Sequence, residues 1–278
     1  MARDYDLIAI DFDGTLLGPD GKVSNATKLA VRRAVDAGYH VVFATGRNWY
    51  ESLEVLEAVE HHATAVFVGG AVTVDLDTRQ VIDRRTMAPD TAAAVVDLLD
   101  QRGLAPLILQ DRELAGVDFL HGPRELSDAI RDWHRRHNLR VQAVASLADI
   151  DHTHTLRVGS IGERDRTATI QADIEAALPG RVHVNQVDLA NYGVRLIEVF
   201  APDVTKWSAI ERVAAKHGIP AGRIVAVGDD MNDLQMLEHA GLGIAMGNAH
   251  PPVKSIADRV IDSNANDGLA RFLDELPA

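Results

Sequence analysis

Acidic side chains follow two strand-like apolar runs in this 278-residue sequence. Asp11 and Asp13 come directly after the run at 7–10, and the stretch GDDMND, which contains Asp229 and Asp233, follows a second run. Clustered carboxylates repel one another unless a cation holds them, and oxygen ligands without Cys or His suit Mg²⁺. The sequence therefore predicts a magnesium site.

Other polar groups indicate what such a site would bind. Thr45 ends the apolar run at 40–45, and Arg47 lies two residues beyond it. Lys206 opens a helix just before the run that leads into GDDMND. A magnesium site with a hydroxyl, a lysine and backbone amides is typical of a phosphate site. One carboxylate can attack phosphorus, and a second, two residues later, can protonate the leaving oxygen and then activate water. Gly14 lets backbone N–H groups approach the phosphate.

Parallel strands would position these groups. Short apolar runs alternate with amphipathic helical patterns at both ends of the chain, which predicts βαβ units and a parallel sheet. Ligands bind beyond the carboxyl ends of such strands, so the polar residues should converge there. The predicted elements of these two segments are strands at 7–10, 40–45, 65–70, 223–228 and 241–246, and helices from Ser24 to Gly38, at 48–63, 205–218 and 232–241, and once more near the end.

The middle of the chain has a different pattern. A hairpin is predicted at Asp77-Thr78, and the segment from 110 to 125 is interpreted as a loop over the cleft. The further expectations are helices at 89–102, 124–137 and 164–178, and strands near 105–110, 140–145, 153–161, 181–187 and 193–200. The predicted fold class is α/β, a doubly wound Rossmann-like parallel sheet core from residues 1–82 and 201–278. An α+β domain, residues 83–200, is inserted into it.

The motifs resemble those of a known superfamily. In chain order, DFDGTLL, ATGR, Lys206 and GDDMND resemble the four motifs of the haloacid dehalogenase superfamily. The insertion between the second and third motifs resembles the type IIB cap of Cof-type sugar-phosphate phosphatases. The resemblance extends over essentially the whole chain.

The resemblance implies a role for each motif residue. Asp11 would be the nucleophile and a metal ligand, and Asp13 the general acid/base, whose backbone carbonyl also binds Mg²⁺. Asp229 would be the third protein ligand of the metal. Thr45 and the Gly46 N–H would form hydrogen bonds to phosphoryl oxygens, and Asn232 would also contact the phosphate. Lys206 would neutralise the charge of the phosphoryl group and the nucleophile, and Asp233 would support either Lys206 or a metal-bound water. Arg47 would lie at the mouth of the site, facing the cap.

Two positions depart from the family pattern. Gly69-Gly70 stands where the family often has Asn-Gly, so we expect a side-chain contact to substrate or phosphate to be missing. Trp207 follows the motif lysine where the family often has Gly, and it would narrow the approach or pack against the cap. Both departures bear on substrate preference rather than on the reaction.

The hypothesis that follows is a Mg²⁺-dependent phosphatase that hydrolyses small phosphomonoesters, with sugar phosphates favoured, through an aspartyl-phosphate. A phosphotransferase or mutase on the same core remains an alternative. So does a phospho-acceptor signalling domain, although the second carboxylate and the large insertion argue against it. The expected partner is a small phosphorylated metabolite, and the sequence leaves the oligomeric state open.

Composition excludes several partners. A formal net charge of −13 opposes binding to nucleic acid or an anionic membrane. No apolar run reaches the roughly 18–20 residues of a membrane span. The absence of cysteine excludes disulfides. MARDYD leads directly into a strand-like run without a signal-peptide pattern, so we expect a cytoplasmic protein.

Several further residues are weaker candidates for ligands. His61-His62 is interpreted as a solvated helix end, because adjacent helical residues do not face one another. His152 and His154 could share a strand face, but no third ligand is evident, so a metal site is not favoured there. In the segment 110–125, the weaker candidates for substrate contact are Arg112, His121 and Arg124.

Overall fold

The computed structural model of this chain describes residues 4–60, 63–126, 128–189 and 194–277. The chain divides into two compact units. The core unit comprises Met1–Arg84 and Thr205–Ala278, and the inserted unit comprises Arg85–Val204.

The core unit contains an eight-stranded sheet with the order β14-β13-β12-β1-β2-β3-β4-β5. The strands are β1 (Leu7–Asp11), β2 (His40–Ala44), β3 (Thr64–Phe67), β4 (Val72–Asp75), β5 (Gln80–Arg84), β12 (Ile224–Gly228), β13 (Leu242–Ala245) and β14 (Arg259–Val260). The pairs from β14 to β3 are parallel, and β4 and β5 form the predicted antiparallel hairpin. All five residues of β1 are buried, as expected for a central parallel strand.

Helices accompany these strands in the alternating order that the sequence predicts. They are α1 (Asn25–Asp36), α2 (Trp49–Val59), α7 (Lys206–Lys216), α8 (Leu234–His239), α9 (Pro251–Ile256) and α10 (Gly268–Glu275). Ser24 begins α1 as predicted, because its side chain accepts a hydrogen bond from the Thr27 N–H. Thr205 and Ser208 begin α7 with reciprocal side-chain-to-backbone bonds, which fix the orientation of Lys206 at the first position of that helix.

The inserted unit has a six-stranded sheet with the order β10-β11-β9-β6-β7-β8. Its elements are α3 (Pro89–Gln101), β6 (Leu107–Gln110), α4 (Arg112–Ala115), β7 (Phe119–His121), α5 (Asp128–Arg136), β8 (Val141–Ala143), β9 (Thr155–Gly162), α6 (Arg164–Ala177), β10 (His183–Leu189) and β11 (Val194–Phe200). Apolar side chains of α3 and α6 pack with those of the central strands. A parallel-sheet core with an additional α+β sheet confirms the predicted fold class.

Several local predictions were wrong. The segment 110–125 is not simply a loop, because it contains α4 and β7, and elements of three or four residues have too little periodicity to be recognised. The strand predicted at 65–70 ends at Phe67 in a tight turn, and α2 ends at Val59. The single short helix predicted near the end is two helices, α9 and α10.

The histidine predictions have different outcomes. His61 and His62 lie outside the described residues. His152 and His154 precede β9 and lie in a turn, so they do not share a strand face.

In the part of the chain that the structure describes, every helix is too short or too polar to traverse a bilayer.

Candidate active site

A tight turn after β1 carries the first motif. Asp11 is the last residue of the strand, and Phe12–Leu16 form the turn, in which Gly14 has a φ of +80°. A Cβ at Gly14 would lie 2.1 Å from Asp229 Oδ2, so only glycine permits this close approach. Thr15 Oγ1 donates to Asp229 Oδ1 at 3.0 Å. The first and fourth motifs are therefore in direct contact.

Lys206 is the centre of a buried polar cluster. Its Nζ donates to Asp11 Oδ1 at 2.6 Å, to Asp233 Oδ1 at 2.6 Å and to Asn232 Oδ1 at 3.0 Å. The side chains of Lys206, Asp11 and Asp233 are all almost completely buried. Burial alone would lower the pKa of Lys206, but Asp11 and Asp233 outweigh it and hold that pKa above its usual value. The ammonium is therefore charged.

Asp233 uses both of its carboxylate oxygens within the protein. Oδ1 accepts from Lys206, and Oδ2 accepts from the N–H groups of Asp229 and Asp230 at 2.9 and 3.0 Å. Of the two roles that the sequence leaves open for Asp233, this geometry favours support of Lys206. The same bonds fix the loop after β12.

Three carboxylates are close enough to share a cation. One oxygen from each of Asp11, Asp229 and Asp233 lies within 4.8 Å of the others. Burial, with smaller effects from neighbouring acids, raises the pKa of Asp11 well above its usual value in spite of Lys206. Burial and Asp233 likewise raise the pKa of Asp229 to about 7. Without a cation, burial therefore favours the neutral form of both carboxyl groups, and three carboxylate oxygens this close together form a donor set that fits a hard divalent cation.

The donors for such a cation can be narrowed further. Asp233 accepts three hydrogen bonds, one of them from the Lys206 ammonium. Asp229 accepts only one at each oxygen, both from neutral groups, and Asp11 Oδ2 has no hydrogen-bond partner among the described residues. The set that fits Mg²⁺ best is therefore Asp11 and Asp229. The Asp13 backbone carbonyl, which the resemblance implies as a further ligand, remains a prediction.

Arg47 forms a bidentate ion pair with Asp13. Arg47 Nε donates to Asp13 Oδ2 at 2.8 Å, and Arg47 Nη2 donates to Asp13 Oδ1. The resemblance places Arg47 at the mouth of the site but does not assign it this partner. The Asp13 side chain remains 58% exposed, so the carboxylate that the sequence predicts as acid/base is accessible.

Thr45, Gly46 and Asn232 lie on adjacent elements. In the pairing of β1 with β2, Asp11 is opposite Ala44, so Thr45 follows directly beyond it. Thr45 is buried, and its Oγ1 accepts from the Arg47 N–H at 3.2 Å. A Cβ at Gly46 would lie 4.0 Å from Asn232 Nδ2, which places the second motif beside the fourth.

Packing explains Gly70, which keeps the glycine of the family's Asn-Gly pair, and Trp207, which departs from the family pattern. Gly70 has a φ of +114°, and a Cβ there would lie 2.2 Å from the Thr205 carbonyl oxygen. The glycine therefore admits the start of α7 and with it Lys206. Trp207 is buried in the apolar cluster of the core unit, with its ring 5.8 Å from that of His239. This corrects the expectation that Trp207 narrows the approach or packs against the cap.

The weaker candidates in the inserted unit have partners there. Arg112 pairs with Asp118 at 3.1 Å, and Arg124 with Asp100 at 3.1 Å. His121 Nδ1 bonds the Gly122 carbonyl at 2.8 Å.

His152 also has structural partners. It is buried, with Nε2 bonded to the Leu147 carbonyl at 2.9 Å and Nδ1 to Thr155 Oγ1 at 3.1 Å. This agrees with its interpretation as a residue outside any metal site.

Two residues of the site were missed by the sequence reasoning. Thr15 was recognised only as part of a motif, although its hydroxyl binds Asp229. Asn248, whose Nδ2 donates to Asp229 Oδ2 at 3.2 Å, was not considered. A signal was present for Asn248, because it follows β13, a parallel strand that ends at the same edge of the sheet as β12.

Comparisons with known proteins agree with this geometry. Residues 8–273 match the model of a family described as haloacid dehalogenase-like hydrolase. A relative from Bacillus subtilis, named 5-amino-6-(5-phospho-D-ribitylamino)uracil phosphatase YitU, is 30% identical over 277 residues, which cover 97% of this chain and 96% of the relative.

Two solved structures show the same fold. A haloacid dehalogenase-like hydrolase from B. subtilis superposes with a TM-score of 0.83 at 23% identity, over 98% of this chain and 100% of the other. A haloacid dehalogenase subclass IIB sugar phosphatase, BT4131, superposes with a TM-score of 0.80 at 19% identity, over 97% and 98% of the two chains.

Proposed function

Since this chain belongs to the haloacid dehalogenase-like hydrolase family, we propose that it is a Mg²⁺-dependent phosphatase that hydrolyses a small phosphomonoester through an aspartyl-phosphate on Asp11. One observation carries the proposal. A buried lysine ammonium and a group of three crowded carboxylates meet at the carboxyl end of β1, and the accessible carboxylate of Asp13 lies two residues beyond Asp11.

Asp11 and Asp13 have separate roles in the proposed reaction. An oxygen of Asp11 attacks phosphorus, the bond from phosphorus to the ester oxygen breaks, and Asp13 gives a proton to that oxygen. Asp13, now ionised, then removes a proton from a water molecule as the water attacks the aspartyl-phosphate. The bond between Asp11 and phosphorus breaks, inorganic phosphate leaves, and both side chains regain their initial states.

Lys206 and its neighbours hold the nucleophile ready. Lys206 fixes Asp11 through Oδ1, and Asp233 and Asn232 fix Lys206 in turn. Thr45, the Gly46 N–H and Asn232 are the proposed contacts of the phosphoryl oxygens. A Mg²⁺ held by Asp11, Asp229 and the Asp13 carbonyl would neutralise phosphoryl charge that an acidic protein would otherwise repel.

The substrate class follows from chemistry and from the named relatives. The B. subtilis relative is named for a phosphorylated ribityl compound, and the subclass IIB neighbour is named a sugar phosphatase. We therefore propose a small phosphorylated metabolite with a sugar or polyol part. A soluble metabolite and a chain without cysteine also fit a cytoplasmic location.

The test is a screen of sugar phosphates, polyol phosphates, nucleotides and other phosphoesters, with release of inorganic phosphate measured with Mg²⁺ and with chelator. Wild-type protein should release phosphate only with Mg²⁺, and Asp11→Asn should release none while its circular dichroism is unchanged. Turnover in Asp11→Asn would refute the nucleophile. A phosphoryl group transferred to a second sugar would indicate the mutase alternative, and a long-lived phosphoprotein the signalling alternative.

A further inference from the structure

The loop after β13 reaches the proposed metal site through one side chain. Asn248 Nδ2 donates to the Gly14 carbonyl at 2.8 Å and to Asp229 Oδ2 at 3.2 Å. Asn248 Oδ1 accepts from the Asn264 N–H at 3.0 Å. Because a backbone N–H can only donate, the oxygen of the amide must face Asn264 and the nitrogen must face Gly14 and Asp229.

The loop that carries Asn248 is itself held in place. Lys254 Nζ donates to the Gly247 carbonyl at 2.6 Å, and the Met246 N–H donates to the Gly228 carbonyl at 3.0 Å. A Cβ at Gly247 would lie 2.7 Å from the Ser263 nitrogen, so the chain is closely packed there. The position of the Asn248 amide is therefore determined by the core unit around it.

Thr15 and Asn248 each donate to a different oxygen of the Asp229 carboxylate. Thr15 binds Oδ1 and Asn248 binds Oδ2. Thr15 is part of the turn that follows Asp11, and Asn248 contacts the same turn at the Gly14 carbonyl. Rotation of the Asp229 carboxylate would break one of these bonds. The separation between the Asp11 and Asp229 carboxylates is thus fixed by a side chain that follows neither β1 nor β12.

We propose that Asn248 is a positioning residue that locks the Asp229 carboxylate against the turn after Asp11 and so presents both carboxylates to the cation in the orientation it requires. This inference rests on the proposed function, since it concerns the same metal site. Partners of metal ligands typically change metal affinity 10–100-fold when they are lost. Asn248 acts through Asp229 and is not assigned a contact with the substrate.

The test compares Asn248→Leu, which keeps the approximate size but removes the amide, with Asn248→Gln, which keeps an amide. Asn25→Leu is the matched control, because Asn25 is exposed at the start of α1. Mg²⁺ binding is measured by isothermal titration calorimetry without substrate, and kcat and KM are measured over a range of Mg²⁺ concentrations.

We expect Asn248→Leu to raise the Mg²⁺ dissociation constant about 10–100-fold, Asn248→Gln to recover part of that loss, and Asn25→Leu to match the wild type. Saturating Mg²⁺ should restore most of kcat in Asn248→Leu. A folded Asn248→Leu variant that binds Mg²⁺ with the affinity of the wild type would overturn the inference. If the leucine variant does not fold, the Mg²⁺ affinity of Asn248→Ser is measured instead, and an unchanged affinity would again overturn the inference. Failure of the wild type itself to bind Mg²⁺ would instead refute the proposed function.

Discussion

Lys206 Nζ lies 2.6 Å from Asp11 Oδ1, although the two residues are 195 positions apart in the chain. Both groups are buried, so each is the main compensation for the desolvated charge of the other. The pair links the end of β1 to the start of α7. Its loss should therefore affect both folding and chemistry.

Replacing Lys206 with methionine should lower the free energy of unfolding by about 3–5 kcal/mol, because Asp11 and Asp233 would be left as uncompensated buried charges. Phosphatase activity should also fall, by at least about 100-fold, because a fixed positive charge beside the phosphoryl group is lost. Urea denaturation and phosphate release measure the two effects. Lys206→Arg keeps the charge but not its geometry, and it should recover stability better than activity. Unchanged stability in Lys206→Met would contradict the assigned role of the pair.

Arg47 and Asp13 should behave as one unit in a double-mutant cycle. Asp13→Ala should lower kcat about 10²–10⁴-fold, as expected for loss of a general acid. Arg47→Lys should lower kcat roughly tenfold, because lysine cannot form the bidentate pair of hydrogen bonds to the Asp13 carboxylate. In the Asp13→Ala background, Arg47→Lys should have little further effect. If the two losses multiply instead, Arg47 acts independently of Asp13.

Gly70 and Gly21 form a matched pair for testing the approach of α7. Gly70→Ala should lower the free energy of unfolding by more than about 3 kcal/mol, since the new Cβ would lie 2.2 Å from the Thr205 carbonyl oxygen. Gly21 also has a positive φ, +73°, but a Cβ there would meet no atom of the described residues within 4 Å, so Gly21→Ala should cost about 1 kcal/mol. Equal losses in the two variants would show that backbone strain alone, and not contact with Thr205, constrains Gly70.

His134 should make the stability of the inserted unit depend on pH. Burial, with a smaller effect from His121, lowers the pKa of His134 from 6.5 to about 4. In the unfolded chain, His134 therefore becomes protonated below about pH 6.5, whereas in the folded chain it stays neutral down to about pH 4. The contribution of neutral His134 to the free energy of unfolding should therefore be fully present above pH 6.5. The free energy of unfolding should fall by about 3 kcal/mol as the pH decreases from 6.5 to 4.

His134→Phe tests this contribution. The ring of His134 stacks on Phe119 at 5.2 Å, so phenylalanine should be accommodated there. Between pH 7 and pH 5, the variant should lose about 2 kcal/mol less stability than the wild type, as measured by urea denaturation. His217→Gln, which replaces an exposed histidine of the core unit, serves as control and should follow the wild type. Parallel pH profiles for wild type and His134→Phe would exclude this effect.

Much of the fold followed from periodicity, because long strands and helices repeat it often enough to be recognised. The convergence of Asp11 and Asp229 was predictable, since the carboxyl ends of parallel strands share one edge of a sheet. Lys206 was predictable there too, because it opens the helix that leads into β12. What remained hidden depends on side-chain packing in three dimensions. The bond from Arg47 to Asp13 and the burial of Trp207 beside His239 leave no periodic signal in the sequence.

The order of the core strands has a consequence for synthesis on the ribosome. Strand β1 is made before the inserted unit, but its neighbour β12 begins only at Ile224, after the whole inserted unit. The inserted unit is contiguous in the chain, so we expect it to reach its native structure while β1 still lacks one of its two partners. During that interval the backbone groups along one edge of β1 lack their native partner strand and are open to incorrect pairing.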